Sequence, residues 1–322
     1  MKTPQESIFS SKTLTYFLQL ADTMNYTQAA QLLGITQPAL TQQIKKLERT
    51  VGTPLFYSIG KKLRLSEAGV TMLHATQQIY EVLNVATDRI QEASDASNGK
   101  INIGLLASVE DSAFDAFIAD YYTHNPHVQV TLRMLTRHEI WDKLENNQID
   151  LAVMYLPDET IKHWDPYATK KIIDESLVFL HHDHDMSHRK RVRLAETIAQ
   201  PWVTYPEGYF LNQFIHENFK NKMVDDPRSV AQFTTPYQLM QFINRTGVNT
   251  ALPNSFYEAH KDQIHAYATA FEPGINFELS FVYRKRKIQI PRIKQFLESF
   301  DEYFQESDYL SRVAQNRVKL NE

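Results

Sequence analysis

Apolar residues near the start of the chain recur at intervals of three and four, which predicts helices in close succession. Leu14, Phe17, Leu18 and Ala21 give a first helix with one apolar face. From Thr27, an expected N-cap, a second and shorter helix runs through Ala29, Ala30 and Leu33 until Gly34 ends it. Thr36 caps a third helix with Pro38 in its first turn, where a missing N–H costs nothing. Two helices joined by a glycine-containing turn form a helix-turn-helix.

The third helix has two unlike faces. Leu40, Ile44, Leu47 and Val51 share one side, while Pro38, Gln42, Lys45 and Arg49 fall opposite, flanked by Thr41 and Lys46. With Thr36 and Gln37 at its start, this face offers amides, hydroxyls and cations, the groups that bond base edges and neutralise phosphate. A solvated helix face is the plainer alternative. The segment from Gly52 to Gly69 then reads as a turn and two short strands around a basic tip, Gly60 to Lys62. That is a β-wing whose Lys61 and Lys62 would meet flanking phosphate.

Ser66 to Ala96 has no proline and, past Gly69, no glycine, so it reads as one helix of roughly 45 Å. Leu73, Thr76, Tyr80, Leu83, Thr87 and Ile90 form a heptad-like seam along it, packed on a second copy or on the chain's own domain. Ser94 to Lys100 is a hinge, after which strand and helix patterns alternate. Strands are expected at "KINIGLL", "HVQVTLRML", "IDLAVMYL", "SLVFLH", "PWVTYP", "RSVAQFTT", "GVNTALP" and "NFELSFVYRKRK", with helices at 112–124, 137–147, 209–222, 236–245 and 291–303. Such connectivity implies right-handed crossovers and a mainly parallel sheet. Residues 306–322 read as a partly ordered helical tail.

Charge sharpens the division. Residues 1–65 carry eight Lys and Arg against three acids, a balance of +5 in a chain of net charge -4. A basic head on an acidic body points to a polyanion partner for the head. The chain has no cysteine, which excludes disulfides, thiolate nucleophiles and zinc–thiolate sites. No secretory leader or membrane-length apolar run is evident, so a cytoplasmic location is expected. The tract His181 to His188 gathers histidines and aspartates, among them His181, His182, Asp183, His184 and Asp185, that could ligate a divalent ion. A strand exit this short seldom converges ligands, so no metal and no cofactor are expected. No hydrolase, metalloprotease or phosphate-loop motif is present, and an enzyme is not expected.

The run from Tyr16 to Gly69, with Ala29-Ala30, "QPAL" at 37–40, "IKKLE" at 44–48, "G..LF" at 52–56 and "L.LSEAG" at 63–69, resembles the DNA-binding domain of LysR-type transcriptional regulators. It departs from that family at Gln42 and Ser58, where arginine is usual. The later strand order is similar to the family's effector domain, two Rossmann-like halves joined by crossover strands as in periplasmic binding proteins.

The resemblance implies an α/β protein with a winged helix-turn-helix at 1–65, a linker helix at 66–96 that pairs subunits through Leu73, Tyr80, Leu83 and Ile90, and an effector-binding domain at 97–305. One half of that domain comprises 101–173 and 271–305, the other 174–270. The expected partners are double-stranded DNA, a small-molecule effector, further copies in a homodimer or homotetramer, and RNA polymerase, with no membrane. In α/β sheets ligands meet the carboxyl ends of strands. That rim holds Ala107, Ser108, Thr136 and Arg137 in the first half, and Thr204, Tyr205, Pro206, Gly208, Tyr209, Phe233 and Thr234 in the second. These are the positions at which the family holds inducers by resemblance. Helix-start donors and an Arg137 fork favour a carboxylate-bearing metabolite or amino acid. The plainer readings are that the hydroxyls are helix caps and that Arg137 faces solvent.

Overall fold

In the computed structural model, residues 10–60, 62–92, 96–158 and 164–319 are described. The chain divides into two compact units, 1–87 and 88–322, with the division falling inside a long helix.

The first unit opens with α1 (Ser11–Thr23), α2 (Tyr26–Leu32) and α3 (Gln37–Val51). Leu14, Phe17, Leu20, Ala29, Ala30, Leu40, Ile44 and Leu47 close on one another as its core. Burying each large member contributes roughly 1.5–3 kcal/mol, enough to hold three short helices that would not persist alone. The α2 cap differs from the expected Thr27. Asn25 is the N-cap, and its Oδ1 accepts from the N–H groups of Thr27 (2.9 Å) and Gln28 (3.2 Å). An asparagine two residues upstream reaches those donors, whereas Thr27 already lies within the first turn. Strands β1 (Phe56–Ile59) and β2 (Lys62–Leu65) pair antiparallel as the wing. Gly69 is required where the chain turns into α4 (Glu67–Glu92), because a Cβ there would stand 2.0 Å from the carbonyl oxygen of Leu55.

The α4 seam is split between uses. Leu73 packs on the first unit's own core. The Tyr80 hydroxyl lies 2.8 Å from Thr15 Oγ1 and donates to the Ser11 carbonyl at 3.1 Å, so it too faces α1. Leu83 and Ile90 point away, 53% and 75% exposed, beside the exposed Ile79 and Val82.

The second unit begins with β3 (Gly99–Leu106), α5 (Ser112–His124), β4 (Val128–Leu135), α6 (Arg137–Glu145) and β5 (Leu151–Leu156). Then come β6 (Tyr167–His181), β7 (Arg191–Val192), α7 (Leu194–Thr197), β8 (Trp202–Thr204), α8 (Phe210–Asn221), β9 (Ser229–Gln232), α9 (Pro236–Thr246) and β10 (Thr250–Pro253). It ends with α10 (Asn254–His260), β11 (Tyr267–Phe271), β12 (Asn276–Arg284), α11 (Pro291–Gln305) and α12 (Tyr309–Lys319). β3, β4 and β5 are parallel, and β12 runs antiparallel between β5 and β6. β6 is longer than its apolar run predicts: Tyr167–Ser176 pairs with β12 in the first half, and Leu177–His181 pairs with β10 and β11 in the second. Its early residues alternate half-buried and exposed, Lys171 and Asp174 among them, which hides an edge-facing strand from a search for apolar runs. β8 and β9 extend the second half through the Trp202–Asn249 bridge.

Two buried charge sets hold this unit together. Lys287 Nζ lies 2.9 Å from Asp150 Oδ1 and 3.0 Å from Asp88 Oδ1, all nearly inaccessible. Glu175, 2% exposed, accepts from the backbone N–H groups of Ser176 and Ser255 and so caps α10 from a crossover strand. Burial raises its pKa above the ordinary value.

The last segment, expected as a partly ordered helical tail, is helical and also packed on the unit. In α12, Tyr309 and Val313 are 3% and 1% exposed and join the unit's core. Residues four apart share one helix face, and that face is docked.

Candidate functional site

Two sites emerge, one in each unit. In the first, α3 is fixed at both ends: Thr36 Oγ1 accepts the Ala39 N–H at 3.4 Å, and Gly52 terminates the helix at φ 80°. Because Leu40, Ile44 and Leu47 are buried, the opposite side is turned outward, leaving Pro38, Gln42, Lys45, Lys46 and Arg49 exposed, and Thr36 and Gln37 are exposed at the start of the helix. Thr41 is half-buried and spends its proton on the Gln37 carbonyl at 3.0 Å, while its oxygen accepts from Gln37 Nε2 at 3.0 Å. Thr41 thereby orients the Gln37 amide. Lys62 is exposed on the wing, and Lys61 lies outside the described residues.

Glu48 supports this surface. Its Oε1 accepts from the N–H groups of Leu55 (2.8 Å) and Phe56 (3.2 Å), tying the end of α3 to the first wing strand. The motif drew attention to this residue, but only the fold reveals its partners. Tyr26 lies close by, and burial, with Glu48 adding repulsion, pushes its hydroxyl up to about 12.

In the second unit a cleft of about 770 Å³ is lined from both halves. Arg137 and Pro157 line it on one side, and Thr204, Glu207, Gly208 and the α8 residues Phe210, Asn212, Gln213, Phe214 and Glu217 on the other, with His216 and Asp226 beyond. The α8 members were not anticipated, although Phe210, Gln213, Phe214 and Glu217 recur at helical spacing on one face.

Arg137 is neither solvent-facing nor free to fork a ligand carboxylate. Its side chain is 10% exposed, its Nη1 stands 3.2 Å from Asp158 Oδ1, and its Nη2 donates to the Tyr155 carbonyl at 2.9 Å. The guanidinium also lies 4.2 Å from the Phe210 ring centre. Desolvation lowers its pKa and the Asp158 carboxylate partly restores it. Sequence spacing could not disclose this partner, because Asp158 lies on a separate loop.

The other predicted cleft residues divide similarly. Thr204 and Gly208 line the cleft with Arg137. Thr136 is a cap: its Oγ1 donates to Glu139 Oε2 at 2.8 Å and accepts the Glu139 N–H. Thr234 donates to Gln238 Oε1 at 3.2 Å, and Phe233 packs on Phe242. Ser108 and Tyr205 are buried, at 5% and 1% exposure, and are not among the residues lining this cleft, and burial raises the Tyr205 pKa. Ala107 and Pro206 are half-buried, and Tyr209 forms the N-cap position of α8 without a side-chain cap bond.

The histidine tract does not converge. His181 is buried in β6 with Nε2 3.0 Å from Thr269 Oγ1, and Asp183 turns back to accept the Asp185 N–H at 2.8 Å. Among the described residues no three His, Asp or Glu side chains are grouped to hold a metal ion. Among the same residues no helix is long and apolar enough to cross a membrane.

Comparison with known proteins covers both units. Residues 11–70 match the bacterial regulatory helix-turn-helix family of LysR type, and residues 94–305 match the LysR substrate-binding domain. An uncharacterised helix-turn-helix transcriptional regulator of Bacillus subtilis, YybE, is 27% identical over 208 residues, 64% of this chain and 70% of its own. A hydrogen peroxide-bound OxyR mutant of Corynebacterium glutamicum superimposes with a TM-score of 0.59 at 18% identity, over 97% of this chain and 96% of that one. Full-length CbnR in complex with its target DNA superimposes with a TM-score of 0.51 at 20% identity, over 91% and 99%. With both of its units matched, the chain belongs to the LysR family of DNA-binding transcriptional regulators.

Proposed function

We propose that this regulator reads its operator with the outward face of α3 and alters that reading, or transcription activation, when a small effector occupies the cleft of its second unit. The observation that carries the DNA half is the exposure of Pro38, Gln42, Lys45, Lys46 and Arg49 on one side of a helix whose other side is core, with Gln37 exposed at the helix start. Amides there bond base edges in a major groove, and Lys62 on the wing neutralises flanking phosphate. Gln42 in place of the family's usual arginine shifts the readout from guanine toward adenine.

Self-association into a dimer or tetramer runs along Ile79, Val82, Leu83 and Ile90, the apolar side of α4 turned away from its own domain. Paired readers then meet paired half-sites, and contact with RNA polymerase follows at the promoter.

The effector carries a carboxylate. In support, α8 opens on the cleft without a side-chain cap, so its first N–H groups are available to an anion. Glu207 and Glu217 on the same walls favour a cationic group as well. An amino acid satisfies both. The test is anisotropy titration of the full chain on the DNA upstream of its own gene, with calorimetry against amino acids, plain carboxylates, amines and neutral compounds. Loss of discrimination in Gln42→Ala and binding by amino acids support the reading. Heat only from neutral compounds ends the carboxylate reading, and equal affinity for random duplex ends the operator reading.

A further inference from the structure

The matched substrate-binding region ends at residue 305, and α12 follows it. This helix packs on α5, which belongs to the first half of the second unit, and on α10, which belongs to the second half. The Tyr309 ring lies 5.9 Å from Phe114 of α5 and 5.4 Å from Phe304 at the end of α11. Its hydroxyl donates to the Glu110 carbonyl at 3.2 Å. Glu110 in turn reaches across the halves, with Oε2 2.9 Å from Nε2 of His260, the last residue of α10. Both side chains are largely sheltered, at 5% and 21% exposure. Arg312 fixes the approach of α12 by stacking 3.6 Å from the Tyr303 ring centre.

The covalent links between the halves are few, chiefly β6 and the β11–β12 segment, an arrangement on which two lobes can hinge. A helix that buries one face against both lobes restrains the angle between them, because any change in that angle must uncover Tyr309 or Val313. We infer that α12 is a clasp: together with the Glu110–His260 pair it fixes the relative setting of the two halves, and so the range over which the cleft opens. This does not depend on which effector the cleft accepts.

The chain lacks cysteine, so introduced cysteines are the sole attachment sites for spin labels. Gln129 on β4 and Lys220 on α8 are both exposed, one in each half. Gln129→Cys/Lys220→Cys chains, labelled and diluted into unlabelled chains, report the separation of the halves within one molecule. The intact protein is expected to give one narrow distance distribution, and Val313→Asp or a chain ending at Gln305 a broadened or shifted one. Where either fails to melt cooperatively, Tyr309→Phe combined with Val313→Ala carries the same measurement, with the same broadening expected. An unchanged distribution in the variants that fold overturns the clasp.

Discussion

The guanidinium of Arg137, at the start of α6, is paired at 3.2 Å with Asp158 from the loop after β5, and both side chains are almost wholly withdrawn from solvent. Asp158 also accepts the indole N–H of Trp141 at 2.8 Å. One carboxylate therefore satisfies two donors from the same helix, and the cation at the cleft wall is neutralised before any ligand arrives. The charge left on the opposite wall is then that of Glu207 and Glu217, since Asp226 is paired with His216 Nδ1 at 2.6 Å.

Asp158→Ala leaves a buried guanidinium without its counter-ion, a change that costs ~3–5 kcal/mol in comparable pairs. Arg137→Met combined with Asp158→Leu is expected to cost less than Asp158→Ala alone. Urea unfolding of both variants against wild type measures this, and an Asp158→Ala loss below that of the double variant contradicts it.

Glu48→Ala removes the acceptor of two backbone N–H groups on residues that are 1% and 7% exposed. The expected cost is about 1–3 kcal/mol. It falls on the first unit, so thermal melting of that unit shifts down and operator affinity falls with it. A variant with wild-type melting would remove Glu48 from this role.

Glu175 gives a pH signature. Its native pKa is raised above 4.5 by burial, so the native state binds this proton more tightly than the unfolded chain. Stability linked to it is greatest with the proton bound and is lost as pH rises through the native value. Glu175→Gln cannot ionise. Its stability relative to wild type should therefore rise between about pH 5 and about pH 8, whatever its constant offset from the lost acceptor. Parallel unfolding curves at both pH values would refute the assignment.

Leu83→Asp and Ile90→Asp each set a charge on the outward side of α4, where Leu83 and Ile90 are 53% and 75% exposed in the single chain. Light scattering is expected to report a smaller particle, and operator affinity to drop with it, while the fold of each unit persists. Leu73→Ala acts differently, since Leu73 packs on its own domain: it lowers the melting point of the first unit. An unchanged mass in both aspartate variants moves the interface elsewhere.

The N-terminal domain was legible because its information is local. Helical spacing of Leu40, Ile44 and Leu47 assigns the inner face of α3, and the outer face with Pro38, Gln42, Lys45 and Arg49 follows from geometry alone, whereas Gln37 is in line with Ile44 and is exposed as the first residue of the helix. The alternation of strands and helices, and hence two α/β halves, was likewise carried by periodicity within each segment. Elements too short or too polar for a period escaped: β7, α7, α10, β11 and the first part of β6. What only the tertiary structure decided depends on residues far apart in sequence. Arg137 meets Asp158, Glu48 meets Leu55 and Phe56 through a turn, Tyr80 meets Thr15, and Tyr309 meets Glu110. A side chain's chemistry is fixed by its type, but whether a charge or hydroxyl is available to a ligand depends on which distant group the fold brings within about 3 Å of it.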